Sequence, residues 1–549
     1  MTNRSPAHQH PLADLRGVVL EATAELLGKE AAGITLERPR SAQFGDYATN
    51  AALVLAPAMG APPREIAERL GNVLAQRLGA GLERFEVAGP GFVNLFLADD
   101  WLIGALGGVL SAGDRYGAGG AAAPERVLVE FVSANPTGPL HVGHARNAAY
   151  GDSLARMLRF HGHDVEREFY INDAGSQMDR FGESIRAQAR GEELPEGGYQ
   201  GEYIVELAAQ IPGAADSDAA ELGLAGMKLM LVEIEKALAS FRVEPFDIWA
   251  YESRLHEGDP TPVENALAIL AEQKRTYEQD GALWLRTTEF GDDKDRVLIR
   301  SSGEHTYFAS DIAYHEDRRE RGYDREIDIW GADHHGYIAR MKAMYAALGG
   351  DPDALELVIM QLVHLLRSGE RSQMSKRAGE FVSLQELVED IGVDAARWYL
   401  LARSPDTTVD LDIEQARKQS NENPVYYVQY AHARIVSVLA KADRERRPPA
   451  ADAPEEPAEP LHESERALIQ RLLAFPGEVD EAVERRAPHR LAAYVLELAQ
   501  TFTAFYRDCR VVGAEPPALE ARRLSLCTAS KQTIASALSL LGVSAPEEM

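Results

Sequence analysis

Cysteine is almost missing from this chain: two residues in 549, Cys509 and Cys527. They form no CxxC pair and no disulfide framework, so they read as small buried apolar residues of a reducing compartment. Positive charge is also short. Lys and Arg number 57 against 86 Asp and Glu, a net charge of −29. That excludes a generic DNA-coating protein, because non-specific affinity comes mostly from phosphate neutralisation. It still allows nucleic acid on a local basic surface. Long apolar runs are absent too: residues 51–56 (AALVLA) stop at Pro57, far short of the ~20 residues that span a bilayer. The opening stretch MTNRSPAHQHPLADL has no signal-peptide core. The expected location is the cytoplasm, with neither membrane nor DNA as partner.

The composition that is present, 45% hydrophobic and 26% charged, excludes a collagen-like or wholly disordered chain. At ~150 residues per domain, the length predicts roughly three to four domains. Residues 12–28 and 62–78 have helical periodicity, the second with Pro at its start, and 92–97 suits a strand. Residues 1–115 are expected to form an α+β module, followed by a small-residue linker, GAGGAAAP at 117–124. RVLVEFV (126–132) then has the apolar, β-branched character of a buried parallel strand. A Pro/Gly loop, SANPTGPL, leads into a helix over 141–160 with Gly162 as its cap, and 165–170 reads as another strand. That strand–helix–strand unit predicts an α/β, Rossmann-like doubly wound parallel-sheet domain over 124–400. An insertion is expected at about 180–295, after which the sheet resumes with strands at 297–300, 327–330 and 357–363. Residues 401–549 read as an all-helical domain, interrupted by the Pro/Ala/Glu stretch 446–460.

His141 and His144 stand three apart where the helix opens, so both project to one face. A helix start carries unpaired N–H groups and the positive end of the macrodipole, a ready site for phosphates. Gly143 lets a flat base approach closely. A surface histidine pair is the bland alternative; a zinc site is weaker, because the motif reads HVGH and not HExxH. Some 230 residues later, SGERSQMSKRAGEFVSL (368–384) sets Ser375 and Lys376 in a polar stretch that by itself suits a solvated loop.

Taken together, strand–loop–HVGH–helix and a late MSK loop resemble the two nucleotide-binding signatures of class I aminoacyl-tRNA synthetases. VEFVSANPTGPLHVGHARNAAYGD (129–152), YINDAG (170–175), HTYFASDIAYH (305–315), WGADHHGYIARMKA (330–343) and MSKRAGEFVSL (374–384) look like bacterial-type arginyl-tRNA synthetase. FGDYATNAAL (44–53) and GPGFVNLFL (89–97) are similar to that family's N-terminal domain, and PVYYVQYAHARI (424–435) to the start of its helical anticodon-binding domain. The resemblance is weakest over 185–290 and 440–549.

The resemblance implies an arginine–tRNA ligase. ATP and L-arginine form arginyl-adenylate and pyrophosphate, and the arginyl group then passes to the 3′ end of tRNA(Arg). It makes His141, His144 and Lys376 the catalytic residues, with Pro136, Gly138, Gly143, Met374 and Ser375 completing the ATP site. It places Glu130, Ser133, Asn135, Tyr307, Asp311 and His335 around arginine. Two of these agree with the chemistry a guanidinium asks for: Glu130 interrupts an apolar strand beside the ligand-binding loop, and Asp311 follows Tyr307 by one helical turn. Tyr427, Tyr430 and Arg434, from a row that also holds Tyr426 and His432, are the tRNA-contact candidates, although aromatics at helical spacing are usually core. Arg38 and Arg40 are the sparse basic candidates of the N-terminal module. The MSK loop departs from the family's KMSKS form, with Gln373 for the first lysine and Arg377 for the last serine. No compensating lysine precedes the histidines, where Gly138 stands, so Lys376 carries the role itself. Asp333, His334 and His335 invite a metal reading, which the absence of further ligands in register weakens. Magnesium is expected to arrive with ATP, with no tightly bound transition metal, no editing domain, and a monomer as the expected state. The rival readings are another class I synthetase (the cysteinyl enzyme, disfavoured for want of zinc-ligand cysteines), a noncatalytic RNA-binding relative, and a metal hydrolase built on HxxH and DHH.

Overall fold

A computed structural model describes residues 10–367, 369–371, 382–445 and 459–549. The N-terminal region runs α1 (Pro11–Leu27), β1 (Leu36–Glu37), β2 (Tyr47–Thr49), α2 (Ala51–Met59), α3 (Pro63–Leu78), β3 (Leu82–Ala88), β4 (Phe92–Leu97) and α4 (Asp99–Ala112). Its strands form one antiparallel sheet in the order β1-β2-β4-β3. Proline opens α3, where its missing N–H costs nothing, and Ile66, Ala67, Leu70 and Leu74 bury one face of that helix. Pro57 does not stop the apolar run: α2 continues two residues past it and ends at Gly60, which takes a left-handed φ of 61°.

The central region begins with β5 (Arg126–Glu130), α5 (Val142–His161), β6 (Asp164–Ile171), α6 (Ser176–Arg190), α7 (Glu202–Gln210), α8 (Ala219–Ser240) and β7 (Ile248–Tyr251). It continues with α9 (Pro262–Glu272), β8 (Thr276–Gln279), β9 (Ala282–Leu285), β10 (Arg296–Ile299), α10 (Tyr307–Arg321), β11 (Arg325–Gly331), α11 (Ile338–Ala347) and β12 (Leu355–Met360). Five strands form an all-parallel sheet in the order β12-β11-β5-β6-β7. The chain leaves β5 in one direction through β6 to β7, and later returns to β5's other side with β11 and β12. The strand order therefore reverses between β5 and β11, and the crevice beyond the carboxyl ends at such a point is where open α/β sheets bind ligands.

Three expectations need correction. Residues 297–300 do not rejoin the parallel sheet; β10 pairs with β9 and β8 in a separate antiparallel sheet. The stretch read as one insertion over 180–295 is split, because β7 inside it supplies the sheet's edge strand. Its four residues, IWAY, are apolar but only partly buried, and an apolar run this short cannot be told from a piece of helix by its pattern. Residues 357–363 hold two strands: β12 ends at Met360, and β13 (Val363–Arg367) pairs with β14 (Glu370–Arg371) and β15 (Val409–Asp412). The small-residue linker is also tied down, with the Gly119 and Ala121 amides donating to the carbonyls of Phe160 and His161.

From α12 (Leu384–Leu401) onward the elements among the described residues are helices, apart from β15: α13 (Ile413–Arg417), α14 (Pro424–Glu445), α15 (Glu463–Leu473), α16 (Phe475–Glu484), α17 (Pro488–Asp508) and α18 (Pro517–Leu540). One continuous apolar core joins the N-terminal module, the parallel sheet and these helices. A smaller one lies under α9, α10 and α11. Cys509 and Cys527 are both buried and unbridged.

Candidate active site

The loop leaving β5 is built against its own backbone preference. Val132 has φ 68° and Ser133 φ 39°, left-handed values that are sterically costly for residues with a Cβ, most of all a β-branched one. Asn147, on α5, holds the loop there. Its Oδ1 accepts from the Val132 amide at 2.7 Å while its Nδ2 donates to the Ile329 carbonyl at 2.8 Å. One side chain thus spans the strand-order reversal, tying β5's loop to β11.

His141 is the N-cap of α5. Its Nδ1 accepts from the Gly143 amide at 3.1 Å, and the Nδ1 of His144 accepts from the His141 amide at 3.3 Å. The two rings stack with centroids 3.8 Å apart. Imidazole nitrogens that accept at Nδ1 carry their proton on Nε2, so both rings are set as Nε2–H donors at the positive end of a 20-residue helix. The backbone on either side of His141 is zipped to the strand-like segment before α12. The Val142 amide donates to the Val382 carbonyl at 3.2 Å and the Leu384 amide to the Leu140 carbonyl at 2.8 Å, with His141 and Ser383 paired between them. Met374, Ser375 and Lys376 lie outside the described residues; Val382 follows Lys376 by six positions.

Pro136 is buried, Gly138 half-buried and Asn135 exposed. Glu130 ends β5 with 7% exposure and both its oxygens engaged. Oε1 accepts from the Ser133 hydroxyl at 2.7 Å, and Oε2 is paired with the Arg318 guanidinium. Ser133 Oγ in turn accepts from the Tyr170 amide at 3.1 Å. Arg318, fully buried on α10, also donates to Glu168 and Asp328 at 2.8 Å each. The Tyr314 hydroxyl reaches Glu168 at 2.6 Å. His315 lies 3.3 Å from Glu326, which also accepts from Tyr345. Burial alone would lower the His315 pKa, and the hydrogen bond to Glu326 with the charge of Asp328 outweighs it, leaving His315 raised. Sequence reasoning missed this network. One signal was there: Tyr314 and Arg318 extend the helical face begun by Tyr307 and Asp311, whereas Glu168 stands among charged neighbours in DVEREFYI and gave none.

Tyr307 opens α10 and is 75% exposed. One turn later, burial raises the Asp311 carboxyl to about 6; the nearby charges of Glu252 and Glu130 push the same way, and His315 and Arg340 oppose them. Glu252, just after β7, was not anticipated. Burial raises its carboxyl, with a hydrogen bond from Tyr170 opposing. Among the described residues neither Asp311 nor Glu252 makes an ion pair, whereas Glu130 has Arg318. The crevice is therefore acidic, with two desolvated carboxylates suited to a planar cation. His335 belongs to a 3₁₀ turn, Ala332–Tyr337; the Asp333 and His335 side chains lie outside what is described. His334 is exposed, with its ring 5.5 Å from that of Trp330. Among the described residues, no group of three or more His, Cys, Asp or Glu is placed to hold a metal ion.

On α14 the aromatic row divides. The Tyr427 hydroxyl donates to Thr503 Oγ1 at 3.1 Å, and buried His432 is hydrogen-bonded to the Pro546 carbonyl at 2.8 Å; both brace helices. Tyr430 is exposed and stacked on Tyr426 at 6.2 Å, and Arg434 lies 4.6 Å over Tyr430 and 5.9 Å from Tyr506 on α17. Arg38 and Arg40 are both exposed.

A doubly wound parallel sheet with paired imidazoles capping the helix after its first strand defines a class I tRNA synthetase catalytic domain. The family model for the class I (R) catalytic domain matches residues 106–192 and 224–436. The arginyl tRNA synthetase N-terminal domain matches 13–97, and the DALR anticodon binding domain 428–549. The arginine–tRNA ligase of Shouchella clausii is 45% identical over 98% of both chains, and that of Bacillus subtilis 44% over 94% of both. The arginyl-tRNA synthetase structure from Thermus thermophilus superposes with a TM-score of 0.76, covering 98% of this chain and 100% of its own at 25% identity. The chain belongs to the arginyl-tRNA synthetase family of aminoacyl-tRNA ligases.

Proposed function

We propose that the crevice at the carboxyl ends of β5, β6 and β7 is where this arginine–tRNA ligase activates its amino acid. The observation that carries this is the pairing of residues 140–142 with 382–384. It sets Val382 beside the imidazole pair; Lys376 lies six positions earlier, and six residues reach no more than about 20 Å. The arginine carboxylate attacks the α-phosphate of ATP, the bond to the bridging oxygen breaks, and pyrophosphate leaves. The 3′-terminal adenosine hydroxyl then attacks the arginyl carbonyl and AMP departs. No covalent nucleophile is required of the protein, so catalysis is positioning and charge stabilisation.

In this reading the Nε2–H groups of His141 and His144 donate to the phosphates, Gly143 admits the base, and Lys376 meets the charge that builds on the leaving pyrophosphate. Pro136, Gly138, Met374 and Ser375 line the nucleotide. Mg²⁺ enters on the nucleotide phosphates. Asp311 and Glu252 take the guanidinium with Tyr307, while Ser133, Asn135 and His335 complete the pocket. Glu130, held by Arg318, contributes its negative field and fixes the loop. The exposed Tyr430–Arg434 face offers stacking and cationic contact to unpaired bases of tRNA(Arg). The proposed working unit is a monomer. Charging of tRNA with labelled arginine, using lysine and cysteine as controls, tests the activity. Single-turnover adenylate formation tests the loop: Lys376→Ala is expected to lower the rate far more than it raises the ATP KM, and an unchanged rate removes the lysine from the mechanism.

A further inference from the structure

Residues 193–223 fall between the two stretches matched by the catalytic-domain model, yet they reach the loop that leads into the histidine pair. Tyr203, on α7, donates its hydroxyl to the Thr137 carbonyl at 3.2 Å. It is also the side chain facing Gly138: a Cβ there would lie 3.5 Å from its hydroxyl oxygen and 3.6 Å from Cζ. Thr137 is buried. The α7 segment is itself fastened to α6, since the Tyr199 amide donates to Ser184 Oγ at 3.0 Å and the Tyr199 ring meets Phe181 edge-on at 5.4 Å. Ile204 and Leu207 sink into the main core behind it.

We infer that Tyr203 is a positioning residue for ATP: through the Thr137 carbonyl it fixes the 135–140 loop that presents Pro136 and Gly138 to the nucleotide, so that residues 193–223 brace the nucleotide site. This rests on the reading of that loop as part of the ATP site. The strained turn at Val132 and Ser133 is held at its start by Asn147, and at its end by the pairing of Leu140 with Leu384. Between these anchors, the Tyr203 hydroxyl supplies the side-chain hydrogen bond to the loop backbone at Thr137. Burial also pushes the phenol above its ordinary pKa, so the hydroxyl remains a donor throughout the working pH range.

The test is steady-state charging of tRNA by the full-length enzyme carrying Tyr203→Phe, which keeps the ring and deletes the donor. The ATP KM is expected to rise about three- to ten-fold, as for the loss of one buried hydrogen bond, with the arginine KM and the thermal midpoint unchanged. Tyr203→Ala, which also removes the ring from Gly138, is expected to raise it further. His144→Ala serves as the control for the underlying reading. If it abolishes adenylate formation while Tyr203→Phe matches the wild type, the brace is wrong and the nucleotide site stands. If His144→Ala leaves adenylate formation unchanged, the nucleotide site itself is misplaced. Equal rises in both KM values, or a loss of stability matching the loss of activity, would make Tyr203 merely structural and overturn the inference.

Discussion

Asp311 shows how one residue's surroundings become a pH dependence. Its carboxyl is raised to about 6 by burial, reinforced by the charges of Glu252 and Glu130 and opposed by His315 and Arg340. Below that pH it is neutral and a poor acceptor for a guanidinium; above it, it is charged. Bound arginine favours the charged form, so binding in mildly acidic solution releases a proton. With competence scaling as the ionised fraction, the arginine KM is expected to rise about four-fold from pH 7.5 to 5.5. Asp311→Asn should bind arginine more weakly and lose that slope. A flat wild-type profile, or the same slope in the variant, would remove Asp311 from the pocket. Glu130 differs in having its partner already inside the protein: Arg318, 188 positions along the chain, is paired with its Oε2.

Among the elements, helix packing turns on individual glycines. A Cβ on Gly182 of α6 would sit 1.7 Å from the Ala219 carbonyl oxygen of α8, and one on Gly223 would be 2.6 Å from the Met178 carbonyl oxygen. The two helices cross backbone to backbone, and neither side has a flexible group that can yield. Gly17, inside α1, meets nothing within 4 Å. Helix propensity alone favours alanine over glycine by up to about 1 kcal/mol at each position; overpacking costs about 1–3 kcal/mol or more. Gly182→Ala is therefore expected to destabilise and Gly17→Ala to stabilise by a few tenths to 1 kcal/mol. Urea denaturation of the two variants reads opposite shifts of the midpoint, and shifts of the same sign would refute the close crossing.

At the scale of the whole molecule, Arg397 joins parts of the chain that sequence keeps far apart. Fully buried on α12, it pairs with Asp152 of α5 at 2.6 Å and donates to the carbonyls of Leu541 at 2.9 Å and Phe241 at 3.1 Å. Burial would raise the Asp152 carboxyl, and the guanidinium of Arg397, with those of Arg156 and Arg167, holds it below its ordinary value instead. Removing one partner of such a pair costs about 3–5 kcal/mol. Because one apolar core runs from the N-terminal module to the C-terminal helices, Arg397→Ala is expected to lower a single unfolding transition. Calorimetry giving two separate transitions, with only one displaced, would show that the regions unfold independently. A second tie closes the N-terminal module onto the helical domain, where Arg466 reaches Asp46 at 2.8 Å and Asp99 at 2.6 Å.

Much of this arrangement was legible along the chain. The helix opened by His141, the apolar strand before it with Glu130 at its end, and the α+β and helical flanks all follow from periodicity and capping, which act over a few residues. The motifs around them carried the family. Tertiary structure alone decided which polar groups meet. It placed the partly buried strand β7 at the sheet edge, turned Tyr427 and His432 inward while leaving Tyr430 at the surface, satisfied Glu130 with Arg318, and brought Tyr203 against the 135–140 loop. These outcomes depend on register and packing between distant segments. Local spacing sets which face of an element a side chain occupies, and carries no information about what that face will touch.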